Sequence, residues 1–399
     1  RDLDVVSSLS LAPENDPPIL DLSPRDGSVL EQAAVMPFSE VFIDTVEPGQ
    51  DVSLIELKVS GIAEPSEETL LVEGTPLSLE SGLHDLGGGV SAEVSPAAPG
   101  SATVRIEGEI PVDRARSLIE EIAYRHGGDD PSSGLRELRV IGIRDSGGGP
   151  AMSAPSGTAR IDVVPVNDRP DVEISGPATE LSYREGDSEL ALFSGVQVDP
   201  IEVGQGFREI GLRIEGALDP EERLVIDGTE IVIGGSASAS GETTGSEIGY
   251  TVSSEGSTTH LVLTPDGLQP EDLSGILEGM TYRNGSNQPT EGVRDIVIDT
   301  VSDTGGTANG GADTRVTSSA VTIEVSAVND PPTLDATSSG AVFTENGPAA
   351  PFFGSVSLST GDGSASDQGL SGFEIELSGL DGDGSERLSV PGADISLDP

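Results

Sequence analysis

Three places in the chain set an asparagine and an aspartate before a proline: ENDPP (14–18), VNDRP (166–170) and VNDPP (328–332). The pairs are Asn15–Asp16, Asn167–Asp168 and Asn329–Asp330. They offer short-armed amide and carboxylate oxygens, the hard ligands that calcium takes about six to eight at a time. Proline fixes its own φ and pushes the residue before it toward an extended form, so such ligands are held with little slack. More acids recur at matched places. Asp44 in FIDTVEPG answers Asp199 in QVDPIEVG, each ending a β-type run, and Asp145 in RDSGG answers Asp303 in SDTGG. Two carboxylates 4 Å apart repel by roughly 4 kcal/mol at an effective dielectric of 20, so gathering several makes sense mainly when a cation joins them. The same residues also read, without an ion, as a stiff Asn-Asp-Pro turn and a tight D-x-G-G turn.

The spacing says what must position them. The Asn-Asp pairs stand about 150–160 residues apart, the size of one domain. The intervals also match internally. Tyr124-Arg125 answers Tyr282-Arg283, and IELKVSGIAEPSEETLLVEG (55–74) answers IGLRIEGALDPEERLVIDG (210–228). A third copy opens with FEIELSGLDGDGSERLSVPG (373–392). The division is therefore 1–14, a last strand of a preceding repeat; 15–166 and 167–328, two whole repeats; and 329–399, the first part of another.

Runs such as VSLIELKVS (52–60), ATVRIEGEI (102–110) and AVTIEVSAV (320–328) alternate apolar and polar, the period of a strand with one buried face. Aromatics are 3%, so the core falls to Val, Ile and Leu, which suits two packed sheets. One segment per repeat has helical spacing: Ala115, Leu118, Ile119 and Ile122, then Leu273, Ile276, Leu277 and Met280. Pro111 and Pro270 open these segments, with acids in the first turn. The reading is all-β: tandem sandwiches with one short, core-covering helix per repeat.

Acids outnumber bases 70 to 20, for a formal charge of −50. That excludes nucleic acid and anionic membrane as partners, since both need basic patches, and no apolar run is long enough to insert in a bilayer. A divalent cation is the natural partner, although acidic surfaces also serve solubility. With no cysteine there are no disulfides or thiolate sites. Lys58 is the only lysine, so a lysine–asparagine isopeptide staple is impossible in the later repeats. The chain opens on Arg1 in mid-repeat and reads as a fragment. His126 stands where the next repeat has Asn284, and no nucleophile or phosphate-loop motif occurs, so nothing proposes catalysis.

On the repeated N-D-x-P joints, the acids early in each repeat and the D-x-G-G turns, the chain resembles cadherin-type repeats. The likeness is to the cadherin-like (and more broadly Ig-like) tandem repeats of giant bacterial surface and adhesin proteins. The Tyr-Arg element after a short helix is also similar to chondroitin-sulfate-proteoglycan repeats. The resemblance implies calcium at the joints. It implies that Asp44 and Asp145 meet Asn15 and Asp16, and that Asp199 and Asp303 meet Asn167 and Asp168. The family's early-strand glutamate matches Glu31, Glu185 and Glu345, facing the joint that follows. In the third repeat GDGSASDQG offers Asp362 or Asp367. The linker is short, the DRE triplet is missing, and D-T-V-E or D-P-I-E replaces D-x-D, which implies fewer ions per joint. DGDGSE (381–386) reads as a hairpin turn. The functional expectation is a calcium-stiffened extracellular stalk at a cell surface. The alternatives are a module that binds a protein, a carbohydrate, a host ligand or its own copies, and an accessory domain of a secreted enzyme.

Overall fold

The computed structural model describes residues 14–148, 157–176, 180–362, 368–380 and 384–397. The strand expected over 1–14 lies outside them but for Glu14, as do Asp367 and residues 381–383 of DGDGSE.

The first repeat runs β1 (Ile19–Pro24), β2 (Gly27–Leu30), β3 (Ala34–Val35), β4 (Phe38–Asp44), β5 (Val52–Ser60), β6 (Glu68–Val72), β7 (Thr75–Ser78), β8 (Gly82–Gly87), β9 (Val90–Ala98), β10 (Ser101–Ile110), α1 (Val112–Glu120), β11 (Ala123–His126), β12 (Gly134–Asp145) and β13 (Ala159–Val164). A seven-stranded sheet in the order β2-β13-β12-β5-β10-β9-β8 faces a four-stranded sheet in the order β3-β11-β6-β7, and β1 pairs with β4. The alternation in the sequence becomes the two faces. Ile55, Leu57, Val104 and Ile106 of the larger sheet share one core with Leu70, Val72 and Leu77 of the smaller. Helix α1 starts after Pro111 and buries Ala115, Leu118 and Ile119 in that core, next to β4 and β5. β13 lies parallel to β2, from Ile161 beside Gly27 to Val164 beside Leu30.

The second repeat runs β14 (Asp171–Gly176), β15 (Glu180–Arg184), β16 (Leu190–Ala191), β17 (Ser194–Asp199), β18 (Phe207–Glu215), β19 (Glu222–Ile226), β20 (Thr229–Val232), β21 (Ser238–Glu242), β22 (Gly249–Glu255), β23 (Thr258–Thr264), α2 (Pro270–Glu278), β24 (Thr281–Asn284), β25 (Gly292–Asp303) and β26 (Thr314–Ser326). Its sheets are ordered β15-β26-β25-β18-β23-β22-β21, β16-β24-β19-β20 and β14-β17, the order of the first repeat strand for strand. α2 buries Leu273 and Leu277. The architecture is all-β, with tandem sandwiches and one short helix in each.

In the third segment β27 (Thr333–Ser338) pairs with β28 (Phe353–Ser359) as β1 does with β4, and β29 (Arg387–Val390) pairs with β30 (Ala393–Ser396) as β6 does with β7. FEIELSG (373–379), which matches β5 in sequence, forms no strand. β5 and β18 are central strands with hydrogen-bonded neighbours on both sides, and among the described residues nothing offers 373–379 such neighbours.

Two compact units result. One holds the chain through Asp171 with Asp199–Arg208 and Ser302–Arg315; the other holds Val172–Val198, Glu209–Val301 and the chain from Val316 on. Among the described residues no helix is long and apolar enough to cross a membrane.

Candidate functional site

The Asn-Asp joints are built from turns that follow long strands. β12 and β25 end on Asp145 and Asp303, and each aspartate folds back to accept the amide two residues on, Gly147 at 3.0 Å and Gly305 at 2.9 Å. The joint asparagine packs against that turn. Asn15 Nδ2 donates to Asp145 Oδ1 at 2.9 Å, and Asn167 Nδ2 to Asp303 Oδ1 at 3.1 Å. A Cβ at Gly147 or Gly305 would collide with the asparagine Oδ1, which explains the first glycine of D-x-G-G.

The next residue, the joint aspartate, is caught by its backbone. Asp16 N donates to Glu47 Oε1 at 3.0 Å, Asp168 N to Glu202 Oε1 at 2.5 Å and Asp330 N to Asp362 Oδ1 at 3.0 Å. One mode of holding the linker thus recurs at all three joints, on an acid from the loop after the strand that pairs with the joint's own first strand, β4, β17 or β28.

What the joints leave over decides their chemistry. Glu202, Asp303, Asp145 and Asp362 are at most 7% exposed. Each has one oxygen that is buried and without a hydrogen-bond partner, as do Glu31, Glu47, Gln50, Asn167 and Gln205. A buried acceptor left unmade costs free energy, more so when charged. The pKa directions agree. Burial pushes Asp303 up; burial, then the charges of Asp168 and Asp303, pushes Glu202 up; burial, then Asp129, pushes Asp168 up. Glu31 goes furthest, to about 7, through burial and then the nearby Asp168, Glu202 and Asp129. The second joint, which lies wholly in the first compact unit, is therefore a run of acids that resist carrying their charges together.

The anticipated ligands divide. Asn15 with Asp145, and Asn167 with Asp303, come together. Glu31 lies near Asp168, and its counterpart Glu185 accepts the Val328 amide at 2.8 Å. Asp44 and Asp199 are exposed and accept the amides of Val46 and Ile201, both at 2.9 Å. Asn329 Nδ2 turns to Asp330 O at 3.1 Å, and Glu345 is exposed. Glu47, Glu202, Gln50 and Gln205 were missed, although E-x-G-Q stands at 47–50 and again at 202–205.

A second set of buried acids lies inside each sandwich. Glu68 Oε1 accepts Ala63 N, Glu64 N and Arg136 Nη2, and its Oε2 accepts Arg136 Nε at 3.0 Å and Tyr124 OH at 2.7 Å. Glu222 does the same with Asp219 N, Arg294 and Tyr282 OH. Among the described residues, Glu64, Glu68 and His126 are the only three such side chains whose ligand atoms lie within 4.8 Å of one another. They are not a metal site by chemistry: the guanidinium of Arg136, 2% exposed, already supplies the cation, and Glu68 has no oxygen to spare. Among the described residues no three joint acids stand that close, so a cation there would also need amide or backbone oxygens, or would have to draw the carboxylates in.

No family model and no curated protein matches the chain. Among solved structures it is similar to Drosophila N-cadherin EC1-3, at 14% identity over 79% of this chain and 69% of that one, with a TM-score of 0.17. It is similar to protocadherin gammaB7 EC3-6, solved as a cis-dimer, at 11% identity over 81% of this chain and 51% of that one, TM-score 0.25. It is also similar to domains 5-6 of the S-layer protein SbsC, at 13% identity over 78% and 99%, TM-score 0.14. The chain spans about half of the protocadherin chain it matches.

Proposed function

We propose that this chain is a stalk segment of a large extracellular adhesion or surface-filament protein, divided at 15–166, 167–328 and 329–399, and that calcium stiffens its Asn-Asp joints. The supporting observation is the set of buried, unpartnered carboxylate oxygens that recurs at each joint: Glu47 and Asp145, then Glu31, Glu202 and Asp303, then Asp362. A hard cation with oxygen ligands suits that donor set, with Asn167, Gln50 and Gln205 oxygens as neutral additions. Its role there is charge compensation, which lets the linker and the loop acids stay together. The affinity expected is on the order of 10⁻⁴ to 10⁻³ M, as for extracellular modules. Small-angle scattering with calcium and with chelator, alongside calorimetric titration, tests this. A smaller spread of dimensions with calcium is expected. An unchanged maximum dimension with no binding heat would overturn the reading and leave a proline-stiffened turn.

A further inference from the structure

The acids that catch the linker sit behind an uncommon turn. Glu202 N donates to Pro200 O at 3.0 Å across Ile201, whose φ is +74°. Glu47 N donates to Thr45 O at 2.7 Å across Val46, whose φ is +67°. A hydrogen bond closed over one residue is a γ-turn, and the positive-φ form is the rare, strained one. For a β-branched residue positive φ is an outlier in its own right. The sequence places a β-branched residue there twice, where glycine would sit without strain. Core packing does not account for it at Val46, which is 44% exposed, while Ile201 is half-buried.

The surrounding contacts hold the turn from every side at the second joint. Asp199 Oδ1 accepts the Ile201 amide at 2.9 Å, Glu202 Oε1 accepts Asp168 N, and Asp130 Oδ2 accepts Val203 N at 3.0 Å. Strain kept in two copies, immediately before the same acid, points to that acid's direction as its purpose. Glycine would open several backbone states at this position, and Glu202 would point into the joint in only some of them.

We propose that Ile201 and Val46 are positioning residues whose strained γ-turns aim Glu202 and Glu47 into the joints, keeping one carboxylate oxygen on the linker amide and the other free for a cation. The aiming of Glu202 is a property of the cation-free chain; its effect on calcium rests on the reading proposed above. The unpartnered Oε2 of Glu202, a side chain 7% exposed, is the atom whose placement is at stake.

The test uses the full chain with Ile201→Gly and Ile201→Val. In chelator, amide hydrogen exchange at Asp168 and Glu202 should quicken about tenfold or more in Ile201→Gly, while the melting temperature holds or rises as strain is released. Calcium affinity should fall about fivefold to tenfold in Ile201→Gly. Ile201→Val, which keeps the branched Cβ, should match the native chain in all three. Unchanged exchange at both amides in Ile201→Gly overturns the proposal. So does a lowered melting temperature with exchange quickened throughout the sandwich, because the residue would then be ordinary packing. If the native chain takes up no calcium, the calcium reading fails and the exchange result still decides the turn's role.

Discussion

Two kinds of buried acid occur in this chain, and they differ in bookkeeping of lone pairs rather than in depth. Glu68 and Glu222, both 0% exposed, have every oxygen matched by the chain itself, with an internal arginine as counter-charge. Asp303, equally buried, and Glu202 each have one oxygen matched and one bare. The first kind is finished when the sandwich folds. The second keeps a bare oxygen after the sandwich has folded. Burial alone would have ranked them together, and charge alone would have sent a cation to Glu64, Glu68 and His126, where Arg136 already stands.

The comparison breaks first at arginine. Arg136→Met should leave Glu68 buried and uncompensated, costing about 3–5 kcal/mol. Denaturant unfolding should show that loss equally with calcium and with chelator; a loss that calcium repairs would mean the two kinds of acid are not distinct. Next comes pH. Glu31 is raised to about 7 from an ordinary 4.5. Between those values the folded chain binds more protons than the unfolded one, so cation-free stability should fall as pH rises from 4.5 to 7 and level off above, by at most about 3 kcal/mol. Urea midpoints at pH 5 and pH 8 in chelator measure it, and Glu31→Gln should shrink the difference, leaving the smaller part that Asp168, Glu202 and Asp303 contribute. Third, Asp303→Asn removes a charge at the second joint and should weaken calcium there about tenfold, roughly 1.4 kcal/mol, without unfolding either repeat. A titration indistinguishable from native would take Asp303 out of the site. The smallest effect belongs to His126. Its Nδ1 accepts Gly128 N at 3.2 Å and its Nε2 meets Glu64 at 3.2 Å. Asn284 accepts Ser286 N and donates to Asp219, both at 2.9 Å, so its amide reproduces both contacts. His126→Asn should therefore shift stability by less than about 1 kcal/mol; a larger loss would mean the imidazole does something the amide does not.

The sandwiches were legible because each strand alternates and because the chain writes the pattern twice. The helices were legible from Pro111 and Pro270 ahead of helically spaced Leu and Ile. The joints were legible as far as Asn and Asp, whose backbone-seeking chemistry is local. Glu202 was not, because its bond to Asp168 depends on how a loop folds after its strand, although E-x-G-Q carried a hint of it. Asp129 left no sign at all: its counterpart is Asn287, and matching one repeat against the other hides a residue that only one of them charges. Arg136 was passed over because an arginine in an alternating strand reads as facing solvent; its inward turn is visible only once Glu68 and Tyr124 are placed around it. FEIELSG shows the converse, since a strand pattern without neighbours to bond is not yet a strand.

The parallel seam between the first repeat's early strand and its last has one further consequence. When the two ends of that sandwich are drawn apart, β2 and β13 slide along each other, and the four matched pairs from Gly27–Ile161 to Leu30–Val164 are loaded in shear, all at once. A hairpin tugged at its open end gives way one rung at a time. In the second repeat the seam has five pairs among the described residues, from Glu180–Thr322 to Arg184–Ser326, so under tension the first sandwich has the shorter clasp and is the one expected to slip first.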